Sequence, residues 1–131
     1  MLVVACSVAS AATAEPVAGD APYKLVIDKP AADAAAKAGF DLERLIARSA
    51  DKVFLLLPHR GQIRINVRLD PQNTVPEVGV GAIPDPATGD VYLILNDKSK
   101  IGFGHSLATW VPAGLARTLF LSSRIRTGPG Y

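Results

Sequence analysis

The sequence predicts an α+β domain: a small antiparallel sheet, formed by a strand plus a hairpin, packed on two main helices. Three observations lead there. Leu42, Leu45, Ile46, Val53, Leu56 and Leu57 recur on one broad helical face, while Glu43, Arg44, Arg48 and Lys52 occupy the other. Ile63, Ile65, Val67 and Leu69 alternate with Arg64, Asn66 and Arg68, the period of a half-buried strand. Two further β-rich runs, Glu77 to Ile83 and Asp90 to Leu95, flank the turn-forming connector Pro84-Asp85-Pro86-Ala87-Thr88-Gly89.

At 131 residues, 49% hydrophobic and 20% charged, the chain suits one globular domain rather than a disordered segment. Residues 1–14 read as a signal-like segment, 15–22 as a linker and 23–131 as a single domain. The first segment is small and apolar, and Ala12-Thr13-Ala14 has the form a signal peptidase accepts, which implies an extracytoplasmic location, periplasmic or secreted. A basic n-region is missing, so that reading expects either a true start upstream of Met1 or a degenerate signal. Val3-Val4-Ala5-Cys6 is similar to a lipobox, whose cysteine would carry a lipid anchor; the alternative is a small hydrophobe inside the signal. Cys6 is the single cysteine, so no internal disulfide exists, and no run approaches the ~20 apolar residues of a membrane span.

Order is expected from Tyr23. Tyr23 to Ile27 is a short strand candidate, and Pro30 with Ala31 to Ala38 reads as an alanine-rich helix stopped by Gly39. Asp41 is placed to cap the next helix, with Phe40 stapling onto Leu45, and Pro58 marks that helix's end. Asp70-Pro71-Gln72-Asn73 turns the chain after the alternating strand, and Asn96 to Gly104 reads as a loop. The last helix is expected to start at Pro112, with Leu115, Ala116, Leu119 and Phe120 as its apolar stripe. Arg124 and Arg126 near its end suit the helix dipole, and Gly128-Pro129-Gly130 stops it.

The net charge of +2 is small but unevenly spread. After Asp97 no acidic residue occurs, so Lys98, Lys100, Arg117, Arg124 and Arg126 stand unopposed along the sequence. Aromatic interleaving is weak there, which favours an acidic protein neighbour over a phosphate or nucleic-acid site.

Catalytic patterns are few. Gly104-His105-Ser106-Leu107-Ala108 is similar to a nucleophile elbow with alanine in the last glycine's place, yet neither an acid nor a histidine follows Ser106 to complete the triad in that order. His59 and His105 are the only histidines, in different predicted loops, and a metal site would need both to converge with a carboxylate such as Asp97. No Walker loop, EF-hand pattern or dinucleotide fingerprint occurs.

Trp110, Pro112-Ala113, Leu115-Ala116, Leu119 and Ser122 through Arg124-Ile125-Arg126-Thr127-Gly128-Pro129-Gly130-Tyr131 resemble a family of zinc-dependent bacterial proteases with a zincin-like fold. In that family the helix bears HExxH and runs into a GPGYG turn. The resemblance extends more weakly over Glu77 to Asp97, similar to the hairpin that gives zincins their substrate-binding edge. It places Arg117, Thr118 and Leu121 on the three HExxH positions. A guanidinium repels Zn²⁺, a threonine has no carboxylate to take a proton from water, and a leucine has no lone pair to give. The family's zinc is therefore not expected here. Nor does a later acidic ligand appear, which implies a truncated zincin-like domain. The resemblance thus implies an inactive member of a metallopeptidase family, a pseudoenzyme or fragment. The alternative is a small extracytoplasmic binding module that recruits a peptide or acidic partner through the hairpin edge or the basic C-terminal patch.

Overall fold

The computed structural model describes residues 21–57 and 61–127, so the signal-like segment, most of the linker, Pro58, His59 and the Gly128–Tyr131 turn lie outside the described residues. The elements run β1 (Tyr23–Ile27), α1 (Lys29–Lys37), α2 (Leu42–Phe54), β2 (Ile63–Leu69), a 3-10 turn (Pro71–Asn73), β3 (Val80–Pro84) and β4 (Val91–Leu95). A short turn α3 (Phe103–His105), a π-helical segment (Ser106–Trp110) and α4 (Val111–Thr127) complete the order. The fold is α+β.

The helix starts follow from their caps. Asp28 accepts the Ala31 N–H at 3.1 Å and Asp41 accepts the Arg44 N–H at 3.2 Å, each satisfying a donor that the first helical turn leaves unpaired. Pro30 sits in the first turn of α1, where no donor is missed. Gly39, at φ 89°, turns the chain from α1 to α2, a conformation that costs a residue with a Cβ. Phe40 and Leu45 both pack against the core.

The sheet is mixed rather than antiparallel. Its order is β1-β2-β4-β3, with β1/β2 and β2/β4 parallel and only the β3/β4 hairpin antiparallel. Two helices between β1 and β2 bring the chain back to the end where it started, and that crossover forces parallel pairing. β4 then inserts between β2 and β3, so β3 becomes an outer strand. Three main helices rather than two, α1, α2 and α4, cover one face, and Ile46, Ile65, Leu93, Leu95, Leu107, Leu115 and Leu119 form the centre of a single core. β2 and β4 alternate accordingly: Ile63, Ile65, Val67, Val91, Leu93 and Leu95 are buried, whereas Arg64 and Arg68 are exposed on the opposite face.

Tyr23 ties β1 to α2. Its hydroxyl donates to Asp51 Oδ1 at 2.6 Å, its ring stacks on Phe54 at 5.7 Å, and burial followed by the Asp51 carboxylate pushes its pKa well up.

The last helix starts earlier than Pro112. The chain is already helical at Phe103, and Pro112 lies inside the helical path. Proline has no N–H to give the carbonyl four residues back, and its ring crowds that carbonyl. The preceding turn widens instead: Val111 N–H reaches back five residues to the Ser106 carbonyl.

Candidate functional site

The inner face of α4 is set by Val111, Leu115, Thr118, Leu119 and Ser122, all at most 1% exposed. Spacings of three and four residues place them on one stripe. Phe120 falls off that stripe and is 45% exposed, contrary to its expected place in the core. Ser122 Oγ donates to the carbonyl of Gly89 in the hairpin connector, so α4 is fixed to the turn joining β3 and β4.

α4 crosses over β3 at Gly114, where even a methyl group would be in ordinary contact with the strand. A Cβ on Gly114 would lie 3.6 Å from Ala82 Cβ and 3.8 Å from Val80 Cγ1. Beside this crossing runs an open groove of about 240 Å³. Val80 and Ala82 form one wall, and Trp110, Ala113 and Arg117 form the other.

The hairpin register decides which backbone groups of β3 face outward. Asp85 N–H donates to the Asp90 carbonyl at 2.7 Å, and Asn96 N–H donates to the Gly79 carbonyl at 2.9 Å. Antiparallel pairing alternates residue by residue, so Gly79, Gly81, Ile83 and Asp85 turn their polar groups toward β4. Val80 and Ala82 therefore direct their N–H and C=O groups away from the sheet, and β3 pairs with no other strand among the described residues. Such an edge accepts an added strand. Its only built-in block is Pro84 at the far end.

The three positions on which the family resemblance puts HExxH separate into two environments. Arg117 is exposed on the groove wall, and Leu121 is 38% exposed one turn later. Thr118 is 1% exposed and faces the core. A residue buried there meets no solvent in which to activate a water, and neither Arg117 nor Leu121 has a lone pair for a metal. The residues do not fit zinc. Among the described residues no group of three or more His, Cys, Asp or Glu side chains is placed to hold a metal. His105 is exposed in α3, and His59 lies outside the described residues.

Ser106 is structural. It lies in the π segment with no exposed surface, its hydroxyl donates to the Val78 carbonyl at 2.7 Å, and Ser99 Oγ lies 2.7 Å away. This is no strand-to-helix elbow, since β4 ends at Leu95 and a loop intervenes. Gly79 makes the cluster fit: at φ +73° it presents no Cβ, which would meet Ser99 Cβ at 2.4 Å and Ser106 Oγ at 2.9 Å.

The basic quarter of the chain is partly neutralised within the molecule. Lys100 lies 3.6 Å from Glu77, an exposed pair of little energetic weight. Arg117 and Arg124 have no carboxylate within 4.0 Å among the described residues. The groove thus holds one cation without a salt bridge there.

The sequence offered the hairpin as a candidate binding edge and Arg117 as a residue unable to hold a metal; the structure places both beside one groove. Trp110 was legible only as scaffold. At 40% exposure it walls the groove, and the signal for this is its position seven residues before Arg117, two helical turns along one face. No family model matches the chain, and neither curated proteins nor solved structures give a significant match.

Proposed function

We propose that this chain is a non-catalytic, zincin-like binding domain that takes an extended peptide along the outer edge of β3, with Arg117 holding a peptide carboxylate. The observation that carries the reading is the juxtaposition of the outward backbone groups of Val80 and Ala82 with a groove walled by Trp110 and Arg117. A peptide paired to β3 gains main-chain hydrogen bonds, and its side chains on the helix-facing side enter the groove. Arg117 favours a ligand bearing Asp, Glu or a terminal carboxylate, because a guanidinium binds a carboxylate through two parallel hydrogen bonds. Catalysis is outside this reading, since Arg117, Thr118 and Leu121 supply neither ligand nor base. An extracytoplasmic setting, with a lipid anchor at Cys6 as one form of it, belongs to the same proposal and rests on the amino-terminal sequence.

Trp110 is the chain's single tryptophan, so its emission reports on the groove alone. Titration with extended acidic peptides is expected to shift that emission, to weaken as salt rises, and to slow amide exchange at Val80 and Ala82. Arg117→Glu is expected to weaken binding at least tenfold. Unchanged emission and exchange across an acidic peptide library would refute the reading, as would tight stoichiometric Zn²⁺ binding accompanied by peptide hydrolysis.

A further inference from the structure

The helices cover one face of the sheet, and the opposite face carries a charge pattern that complements itself. Three register rows define it. The middle row takes one residue from each strand: Val26 pairs with Asn66, Asn66 with Tyr92, and Tyr92 with Ile83. Val26 is 41% and Ile83 57% exposed, so the ends of this row are apolar and open to water.

The row toward the start of the parallel strands is charged. Lys24 pairs with Arg64. One residue before the Ile65–Val91 pair, Arg64 N–H donates to Asp90 Oδ1 at 2.9 Å, and Asp85 N–H donates to the Asp90 carbonyl. The sequence of charges across the sheet is therefore Lys24, Arg64, Asp90, Asp85, two positive and then two negative. Neither basic residue has a carboxylate within 4.0 Å among the described residues. Each aspartate spends one oxygen on a backbone N–H, Asp85 on Ala87 and Asp90 on Arg64. The third row holds Asp28, one residue past the Ile27–Val67 pair, then Arg68, Ile94 and Gly81.

We infer that this face is where two copies of the chain pair, sheet against sheet, about a two-fold axis parallel to the strands. Such an axis lays each row over its own reverse. Lys24 then faces Asp85 of the second copy and Arg64 faces Asp90, with the reciprocal contacts made at the same time. Val26 meets Ile83, which removes both from water, and Asn66 meets Tyr92. The other in-plane axis, across the strands, would lay Lys24 over Asp28 but also Arg64 over Arg68, so each attraction is offset by a repulsion, whereas the first sets only opposite charges together; charge selects the first arrangement. Sheets packed this way keep their strands within about 30° and lie about 10 Å apart, close enough for these side chains to meet. Four strands of five residues span about 19 by 17 Å. Two such faces amount to about 650 Å² of projected area, below a standard interface, so the pairing is expected to be weak and transient. The helix layer and the outer edge of β3 remain uncovered.

Sedimentation velocity of the full chain between about 1 µM and 1 mM tests the inference. A monomer–dimer equilibrium is expected, weakened by salt and weakened at least tenfold by Lys24→Glu and by Asp85→Lys. Mixing those two variants is expected to restore the dimer, because the introduced glutamate then meets the introduced lysine at one contact while the native Lys24–Asp85 pair forms at the other. The double variant is expected to restore it also. Asp85 caps a turn, so Asp85→Asn, which keeps the acceptor but removes the charge, provides a second probe and is expected to weaken pairing. A monomer throughout the range overturns the inference. So does a dimer that ignores these substitutions, or one that mixing fails to restore.

Discussion

Ser106 Oγ donates to the carbonyl of Val78 at 2.7 Å, joining the π segment that leads into α4 to the loop that leads into β3. Ser99 shares the same hydroxyl, and both side chains are buried. Ser106→Ala leaves the Val78 carbonyl and the Ser99 hydroxyl without this partner, and a loss of about 1–3 kcal/mol is expected. Gly79→Ala is expected to cost at least as much, since the new methyl would collide with Ser99 in a conformation that disfavours any Cβ. Urea denaturation of both variants checks this. Two variants as stable as the parent would show that the cluster is not a fastening point.

Gly114 separates two outcomes by size. An alanine methyl would sit at ordinary contact distance, 3.6 Å from Ala82 and 3.8 Å from Val80, so Gly114→Ala is expected to raise stability by about 0.5–1 kcal/mol through helix propensity. Gly114→Leu has no such room and is expected to lift α4 from β3, lowering stability by about 1–3 kcal/mol. Thermal melts of the pair would show opposite shifts.

Thr118 brings a hydroxyl to a place that is 1% exposed on the core face of α4. Thr118→Val keeps the shape and removes the polar group, so stability is expected to be unchanged or to rise by up to about 1 kcal/mol. Thr118→Glu would bury a carboxylate and is expected to cost several kcal/mol or to prevent folding. A well-folded Thr118→Glu variant would contradict the placement of this residue in the core.

Tyr23 supplies an alkaline dependence. Its folded pKa lies above the ordinary value of 10.0, first through burial and then through Asp51, so the folded state holds its proton more tightly than the unfolded chain. Its contribution is complete below pH 10.0 and is lost as pH rises beyond it. Stability measured from pH 8 to 11 is expected to fall above about pH 10. In Tyr23→Phe that fall is expected to be shallower. Equal slopes in the two proteins would dismiss the assignment.

The sequence carried the elements that patterning governs. Asp28 and Asp41 cap α1 and α2, the alternation of Ile63 to Leu69 becomes β2, and the connector before Asp90 becomes the hairpin turn. Beyond that hairpin, pairing partners were not legible, because alternation reveals which face is buried but not which strand lies alongside. Nothing local in Tyr23 to Ile27 marks it as parallel to β2. Pro112 misled for a different reason: proline favours a first turn, but a helix can also carry it by widening one turn, and that depends on packing around Leu107 and Val111. Of the candidate site, Arg117 and the hairpin were visible in the residues. The close crossing at Gly114 was not, since it arises only when α4 meets β3.

The insertion of β4 between β2 and β3 bears on the order in which the chain can assemble. The β3–β4 hairpin closes over a short local connector, whereas Tyr23 must find Ile63 across a long span that includes two helices. Loop closure over the longer span costs more entropy and is recovered only once α1 and α2 have docked. β1 is therefore the expected late arrival, and substitutions in it should accelerate unfolding while leaving the refolding rate nearly unchanged.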